Sequence, residues 1–314
     1  MKRSKDSDVT KEKFHSEVLR KSGYDDWCPT LIEQSKTQRE KGDILQADTM
    51  ELFAKYSDLL QYLPFENISG NAICFKREQR SGIVDMVTEV LVVGGIDIDI
   101  DMESIKKDKD CRNRFEQRIG IHVNNIERMM IKGNVEVLPK ELDGLEIRCT
   151  NEQRLINNSA LVNGDVLSLY KLDELIDSID EPTHLLMNKT IIGRMQGKDV
   201  GMSYVTDTFG NTKTIYKNLP IMVIDKDSNY DSILPFTEPD PSGVPQCTSI
   251  YCLSLAKNGL VGLQNGKMTV ADLGKLDINR VGHTRIEWYI TLVTLKARSI
   301  ARLRYIKNGG VKLL

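Results

Sequence analysis

The chain has 314 residues, of which 40% are hydrophobic and 28% charged, with a formal net charge of −2. That length fits one large domain or two smaller ones, and the charge excludes the strong basic excess of a protein that coats nucleic acid. The first 20 residues are charged and no run of about 18 apolar residues follows, which argues against a secretory signal and a membrane helix and predicts a soluble protein made inside the cell.

Aromatic residues make up only 6% of the chain, so the core must rest on Ile, Leu, Val and Met. The cysteines, Cys28, Cys74, Cys111, Cys149, Cys247 and Cys252, form no CxxC pair. Their scatter predicts reduced structural thiols ahead of disulfides or a zinc site.

Residues 1 to about 46 are rich in Lys, Glu, Asp, Ser and Gln. Such a stretch buries little surface alone and predicts an arm or tail, either a frayed terminus or an arm that orders only against a neighbour. Trp27, Leu31 and Ile32 are its apolar anchors. From Ala47 to Tyr62 the residues Met50, Leu52, Phe53, Tyr56, Leu59 and Leu60 recur at helical spacing, and Pro64 ends the helix. Ile73 and Phe75 alternate with polar neighbours toward Arg77 and Glu78, as in a strand.

Ile96 to Asp101 alternates isoleucine and aspartate. Period-two patterning puts Ile96, Ile98 and Ile100 on one face of a strand and Asp97, Asp99 and Asp101 on the other. Residues 103–132 then read as one long helix about 42 Å in length, with Gly133 as its cap. Its stripe is Ile105, Phe115, Ile119, Val123, Ile126 and Met130; Lys106, Lys109, Arg112 and Glu116 face water or a neighbour.

Beyond it, short strands and helices alternate. A helix spans Leu172–Ile179, and a strand spans Ile221–Ile224. The prolines 235, 239, 241 and 245 mark an exposed loop. Another strand covers Ser249–Leu253, and Asn265-Gly266 supplies a hairpin turn. Residues 286–306 mix strand and helix signals.

Signals for chemistry fail on inspection. An EF-hand loop starting at Asp97 needs Gly and Glu where Met102 and Asp108 stand, so the aspartates read as a solvated strand face. A phosphate loop ending at Lys267 fails at Val261 and Met268. His15, His122, His184 and His283 lie in no metal-binding frame, and His184 reads as a strand-entry histidine held by local hydrogen bonds. An enzyme reading has no residues to rest on.

Eight blocks keep one order: LPFENISGNAICFKRE (63–78), LVVGGIDIDID (91–101), the charged helix at 102–132, ELDGLEIR (141–148), LSLYKLDELIDSIDEPTHLLMN (167–188), DTFGNTKTIYKNLPIMVID (207–225), TSIYCLSL (248–255) and IEWYITLVTLKARSIARLRYI (286–306). The series resembles the major capsid proteins of tailed bacteriophages, with their Hong Kong 97-like α+β fold. The resemblance implies an N-terminal arm over 1–68 and a shortened extended loop over 69–93. It implies a peripheral domain over 94–164, with the spine helix at 103–132, resuming over 271–314, and an axial domain over 165–270. It favours strands in 286–306.

The implied role is structural, without enzyme activity, cofactor or metal. Copies would form the pentamers and hexamers of an icosahedral head around the double-stranded DNA of a tailed phage or prophage. Portal and scaffolding proteins are the implied partners. The implied location is the virion, after synthesis in the host cytoplasm. An encapsulin-like bacterial shell is the alternative. Candidate contacts between subunits are Trp27, Leu31, Ile32, Arg77, Glu78, Lys106, Arg112 and Glu116. Only Gln79 to Val90 remain for the extended loop, which leaves overlap with a neighbour to the N-terminal arm.

Overall fold

The computed structural model describes residues 28–78, 84–149, 154–198, 201–224, 231–275 and 282–313, and the side chains at 76–85 and of Lys275 lie outside the described residues. Trp27 likewise lies outside them, as do Ser81 and Gly82, the residues in the shortened loop whose types favour a turn.

The described chain opens on helices α1 (Leu31–Glu40), α2 (Ile44–Tyr56) and α3 (Asp58–Tyr62). Residues 28–46 therefore belong to the folded body, not to a free arm. Thr30 and Glu33 form a reciprocal capping box that satisfies the first amides of α1. Leu31 is fully buried in the main core, and the polar side chains Gln34, Ser35 and Gln38 are buried as well. Hydrogen bonds make this possible for the first two: Gln34 takes a bond from the Gln264 Nε2 amide at 3.0 Å, and Ser35 donates to the Ile32 carbonyl at 2.8 Å. A polar composition misleads here because paired polar groups can be buried at modest cost. The helix expected from 47 to 62 breaks at Ser57, whose extended backbone caps α3 and whose hydroxyl donates to Glu127 at 2.6 Å.

Strands β1 (Phe65–Ile68), β2 (Ala72–Glu78), β3 (Val84–Val90), β4 (Val92–Val93) and β5 (Ile96–Ile98) follow. The Ile–Asp alternation holds on both faces but yields a shorter strand than expected: Ile98 is buried, while Asp101 turns to cap α4 (Met102–Lys107) through the Ser104 amide at 2.8 Å. The single spine helix expected over 103–132 is two, because Asp108 adopts an extended backbone and caps α5 (Lys109–Lys132). With 24 residues, α5 is about 36 Å long. All six residues of the expected apolar stripe are buried.

The chain continues through α6 (Leu145–Arg148), β6 (Leu155–Asn157), β7 (Asp165–Ser168), α7 (Leu169–Asp177), β8 (His184–Asn188) and α8 (Lys189–Gln196). Then come β9 (Met202–Thr206), β10 (Thr212–Tyr216), β11 (Leu219–Ile224), β12 (Glu238–Pro239), β13 (Pro245–Leu253) and β14 (Leu260–Asn265). The last strands are β15 (Thr269–Lys275), β16 (Gly282–Glu287), β17 (Tyr289–Thr294) and β18 (Ile300–Lys312). The segment 286–306 is thus strand with one short 3-10 turn at Ala297–Ser299.

Among the described residues, the largest sheet has nine strands, in the order β6-β18-β13-β8-β11-β10-β9, with β7 against β18 and β12 against β13. Strand β18, placed by the resemblance with the peripheral ranges, joins the sheet built mainly from residues 165–253. A second sheet, β1-β14-β17-β4, joins residues 65–68 and 260–265 to 289–294. Asn265-Gly266 is a bend and not a hairpin turn: β14 pairs with β17 while β15 pairs with β16, so one long double strand kinks where Gly266 takes φ +72. Strand partners lie too far apart in sequence for dipeptide signals to choose them.

The main core centres on Trp288, which packs edge-on against Phe53 at 5.6 Å and against Phe65 at 5.3 Å. Its indole N–H donates to Gln264 at 2.9 Å, and Gln264 in turn reaches Gln34 on α1. Gly262 sits beneath Phe65, where a Cβ would come within 2.5 Å of the ring. A second cluster fills the nine-stranded sheet against α7 and α8, and a third lies under the β2–β3 ribbon.

Candidate assembly surfaces

The β2–β3 ribbon pairs Ala72 with Val90, Cys74 with Thr88 and Phe75 with Val87. Directly opposed residues share a face, so the described side chains sort into two sets. Ile73, Phe75, Val87 and Glu89 face inward, where Phe75 and Val87 pack on Ile68, Leu91, Val261 and Leu295. Ala72, Cys74, Met86, Thr88 and Val90 face outward, all exposed and all uncharged. Met86 is 63% exposed and Val90 58%. At the ribbon's base, Glu89 is buried and receives a two-pronged bond from Arg148, at 2.6 and 2.9 Å.

The sequence candidates scatter over this framework. Leu31 is fully buried within its own subunit, so it cannot serve as an anchor on a neighbour. Ile32 packs on the edge of the same core. Arg77 and Glu78 belong to β2 beside Asp85 and Val84, and their side chains lie outside the described residues, as Trp27 does. Lys106 is exposed on α4. Arg112 and Glu116 are joined along α5 at 3.4 Å, and Arg112 also reaches Asp48 at 3.4 Å. Asp48 and Glu51 both accept from Arg39 at 2.9 Å, which makes one charged lattice across α1, α2 and α5. The structure brings Arg112 and Glu116 together and leaves Lys106 apart from their bonds.

The three aspartates of 97–101 serve three separate partners. Asp97 accepts both prongs of Arg285, Asp99 pairs with His283 at 2.8 Å, and Asp101 caps α4. No group of three metal-binding side chains occurs among the described residues. All six cysteines are free, and burial pushes the Cys149 thiol up to about 12. No helix among the described residues is long and apolar enough to cross a membrane.

Sequence reasoning missed the buried charges. Lys213 binds Asp58 and lies 3.5 Å from Asp207; burial works against its charge, but the two carboxylates outweigh it and raise its pKa. Asp58 also accepts the Val223 amide at 2.9 Å, tying α3 to the nine-stranded sheet. Arg302 sits over the Tyr251 ring and donates to Glu238 at 2.8 Å and Glu146 at 3.1 Å. Its burial disfavours the cation, yet the surrounding acidic groups and Tyr251 hold it charged. The expected strand-entry role of His184 appears as a 3.0 Å bond to Thr183 and a stack on Tyr62 at 4.6 Å, and burial lowers its pKa to about 4. Asp58 with Lys213, Arg302 with Glu238 and Glu146, and His184 with Tyr62 are each separated by dozens of residues, so no local signal could have joined them.

No protein-family model and no curated protein matches the sequence. Solved structures do. The chain is similar to the holo-SrpI encapsulin from Synechococcus elongatus PCC 7942, at 17% identity and a TM-score of 0.57, over 82% of this chain and 89% of that one. It is similar to the capsid of a native GTA particle at 10% identity and a TM-score of 0.53, over 80% and 90% of the two chains. The capsid of the empty GTA particle gives 9% identity and the same TM-score of 0.53. The chain has the α+β Hong Kong 97-like fold shared by phage capsid proteins and encapsulins.

Proposed function

We propose that this chain is a structural subunit whose copies assemble into a closed icosahedral shell, the head of a tailed phage or prophage around its double-stranded DNA. Beyond the fold, one observation carries the reading. Near its base the β2–β3 ribbon holds out an exposed stripe of Ala72, Cys74, Met86, Thr88 and Val90, uncharged among the described side chains, with Lys76 paired to Met86 farther along. Two strands alone are marginal in water, and a soluble monomer has little reason to display such a stripe. A neighbouring copy gives it somewhere to be buried. Each copy would touch several others in pentamers and hexamers, so modest single contacts add up to a stable shell. Portal and scaffolding proteins are the proposed partners and the virion the proposed location. The reading assigns the chain no enzyme activity and no cofactor.

A second reading rests on the SrpI encapsulin, to which the chain is similar over most of its length. In that reading the shell is a bacterial compartment. Electron microscopy of the purified protein tests shell formation: closed particles of uniform diameter are expected. A protein that stays monomeric by light scattering at high concentration, with a scaffolding partner present, would sink both readings. Particles isolated from the native host then divide them. Nuclease-protected genomic DNA supports the phage head, whereas enclosed protein without such DNA supports the compartment.

A further inference from the structure

Helix α6 is only four residues long, yet it carries two charges that point to different parts of the molecule. Arg148 grips Glu89 at the base of the β2–β3 ribbon with both terminal nitrogens, and its Nε donates to the Asp143 carbonyl at 2.8 Å. Glu146, two residues earlier, accepts from Arg302 on β18 of the nine-stranded sheet at 3.1 Å. The backbone closes the same connection. Arg154 donates to the Arg148 carbonyl at 3.0 Å, and the Arg302 amide donates to the Arg154 carbonyl at 2.7 Å.

These groups are mostly buried: Arg148 is 6% exposed, Glu89 9% and Arg154 5%. Buried ion pairs are poor sources of stability, since desolvation offsets most of the attraction and an apolar pair of similar size does as well. What a two-pronged arginine–carboxylate bond supplies that an apolar contact does not is direction. The ribbon needs direction, because beyond its chain connections to β1 and β4 the packing that holds it is a small patch of side chains under one face.

We propose that α6 is a two-headed ionic clamp in which Arg148 and Glu146 are positioning residues that fix the angle of the β2–β3 ribbon against the nine-stranded sheet. Given the shell reading above, on which this part rests, that angle sets the curvature of the assembled particle. An error in the angle repeats at every contact around the shell, so a small hinge motion in one subunit becomes a spread of particle diameters.

The clamp is testable in the single subunit, independently of whether shells form. With Cys28→Ser removing one competing thiol, spin labels on the exposed Cys74 of the ribbon and on a cysteine replacing the exposed Tyr204 of β9 report the ribbon-to-sheet distance by pulsed electron resonance. The parent should give one narrow distribution. The double variant Glu89→Leu with Arg148→Met removes both charges together and should melt near the parent, yet broaden the distribution at least twofold. The charge swap Glu89→Arg with Arg148→Glu should narrow it again. If the double variant unfolds, Glu146→Gln, at a partly exposed site, should still broaden the distribution. An unchanged distribution in the folded variants overturns the clamp. If the parent forms no particles, the shell reading fails while the distance measurement still decides the clamp. If it does form them, the double variant should give mixed diameters, and a single parental diameter would sever the link from ribbon angle to curvature.

Discussion

The spine helix α5 and the β2–β3 ribbon use apolar residues in opposite ways. Along α5, Phe115, Ile119, Val123, Ile126 and Met130 are at most 2% exposed, and every apolar residue of the stripe meets the subunit's own core. On the ribbon only one face is used that way, while Met86 and Val90 stay in solvent. A helix of 24 residues with one apolar stripe is satisfied inside the subunit. A two-stranded ribbon has a second face that no described residue of the chain covers. The contrast separates residues that make the fold from residues left exposed, which the proposed shell would use for contact, and neither composition nor mean hydropathy distinguishes them.

The sharpest way to break that comparison is Phe115→Ala. At 2% exposure its loss should lower unfolding stability by about 3–5 kcal/mol, read by thermal or denaturant melting. A variant that melts like the parent would mean the helix face is not the core.

Acid should weaken the fold side of the comparison next. The unfolded chain protonates a histidine near 6.5, whereas His184, stacked on Tyr62, resists protonation down to about 4. Its contribution is therefore complete above pH 6.5 and is lost as pH falls from 6.5 toward 4, with about 2 kcal/mol gone by pH 5. His184→Asn should flatten the pH dependence of the melting midpoint over that window. An equally steep dependence in the variant would assign the effect elsewhere.

Thr30→Ala probes the boundary between fold and arm. It removes the capping box of α1 and should cost about 1 kcal/mol, measured by denaturant titration. No change at all would mean that residues 28–40 contribute nothing to the subunit.

The smallest effect on stability should come from the ribbon. Met86→Lys and Val90→Lys, at exposed sites, should shift subunit stability by no more than about 0.5 kcal/mol. They should nonetheless abolish or delay particle formation as seen by light scattering, because each would bury an unpaired lysine at the contact. Normal assembly kinetics in both variants would put the contact elsewhere.

Periodicity is what the sequence determined by itself. The stripe of the spine helix, the Ile–Asp alternation at 96–101 and the strand at 221–224 were all legible, because helical and strand periods are written into neighbouring residues. The order of the blocks carried the fold. The breaks were not legible: Ser57 and Asp108 interrupt expected helices by capping the segment that follows, and composition alone does not separate a capping Ser or Asp from a surface one.

Tertiary structure alone decided the rest. Whether the polar segment from Cys28 to Gln46 folds depended on distant partners such as Gln264 for Gln34. The same holds for the pairs Glu89–Arg148, Arg302–Glu238 and Lys213–Asp58, each joined across a long stretch of chain. A charge in sequence shows its sign but not its burial, and burial, which weakens solvent screening and strengthens direction, decides whether an ion pair positions anything.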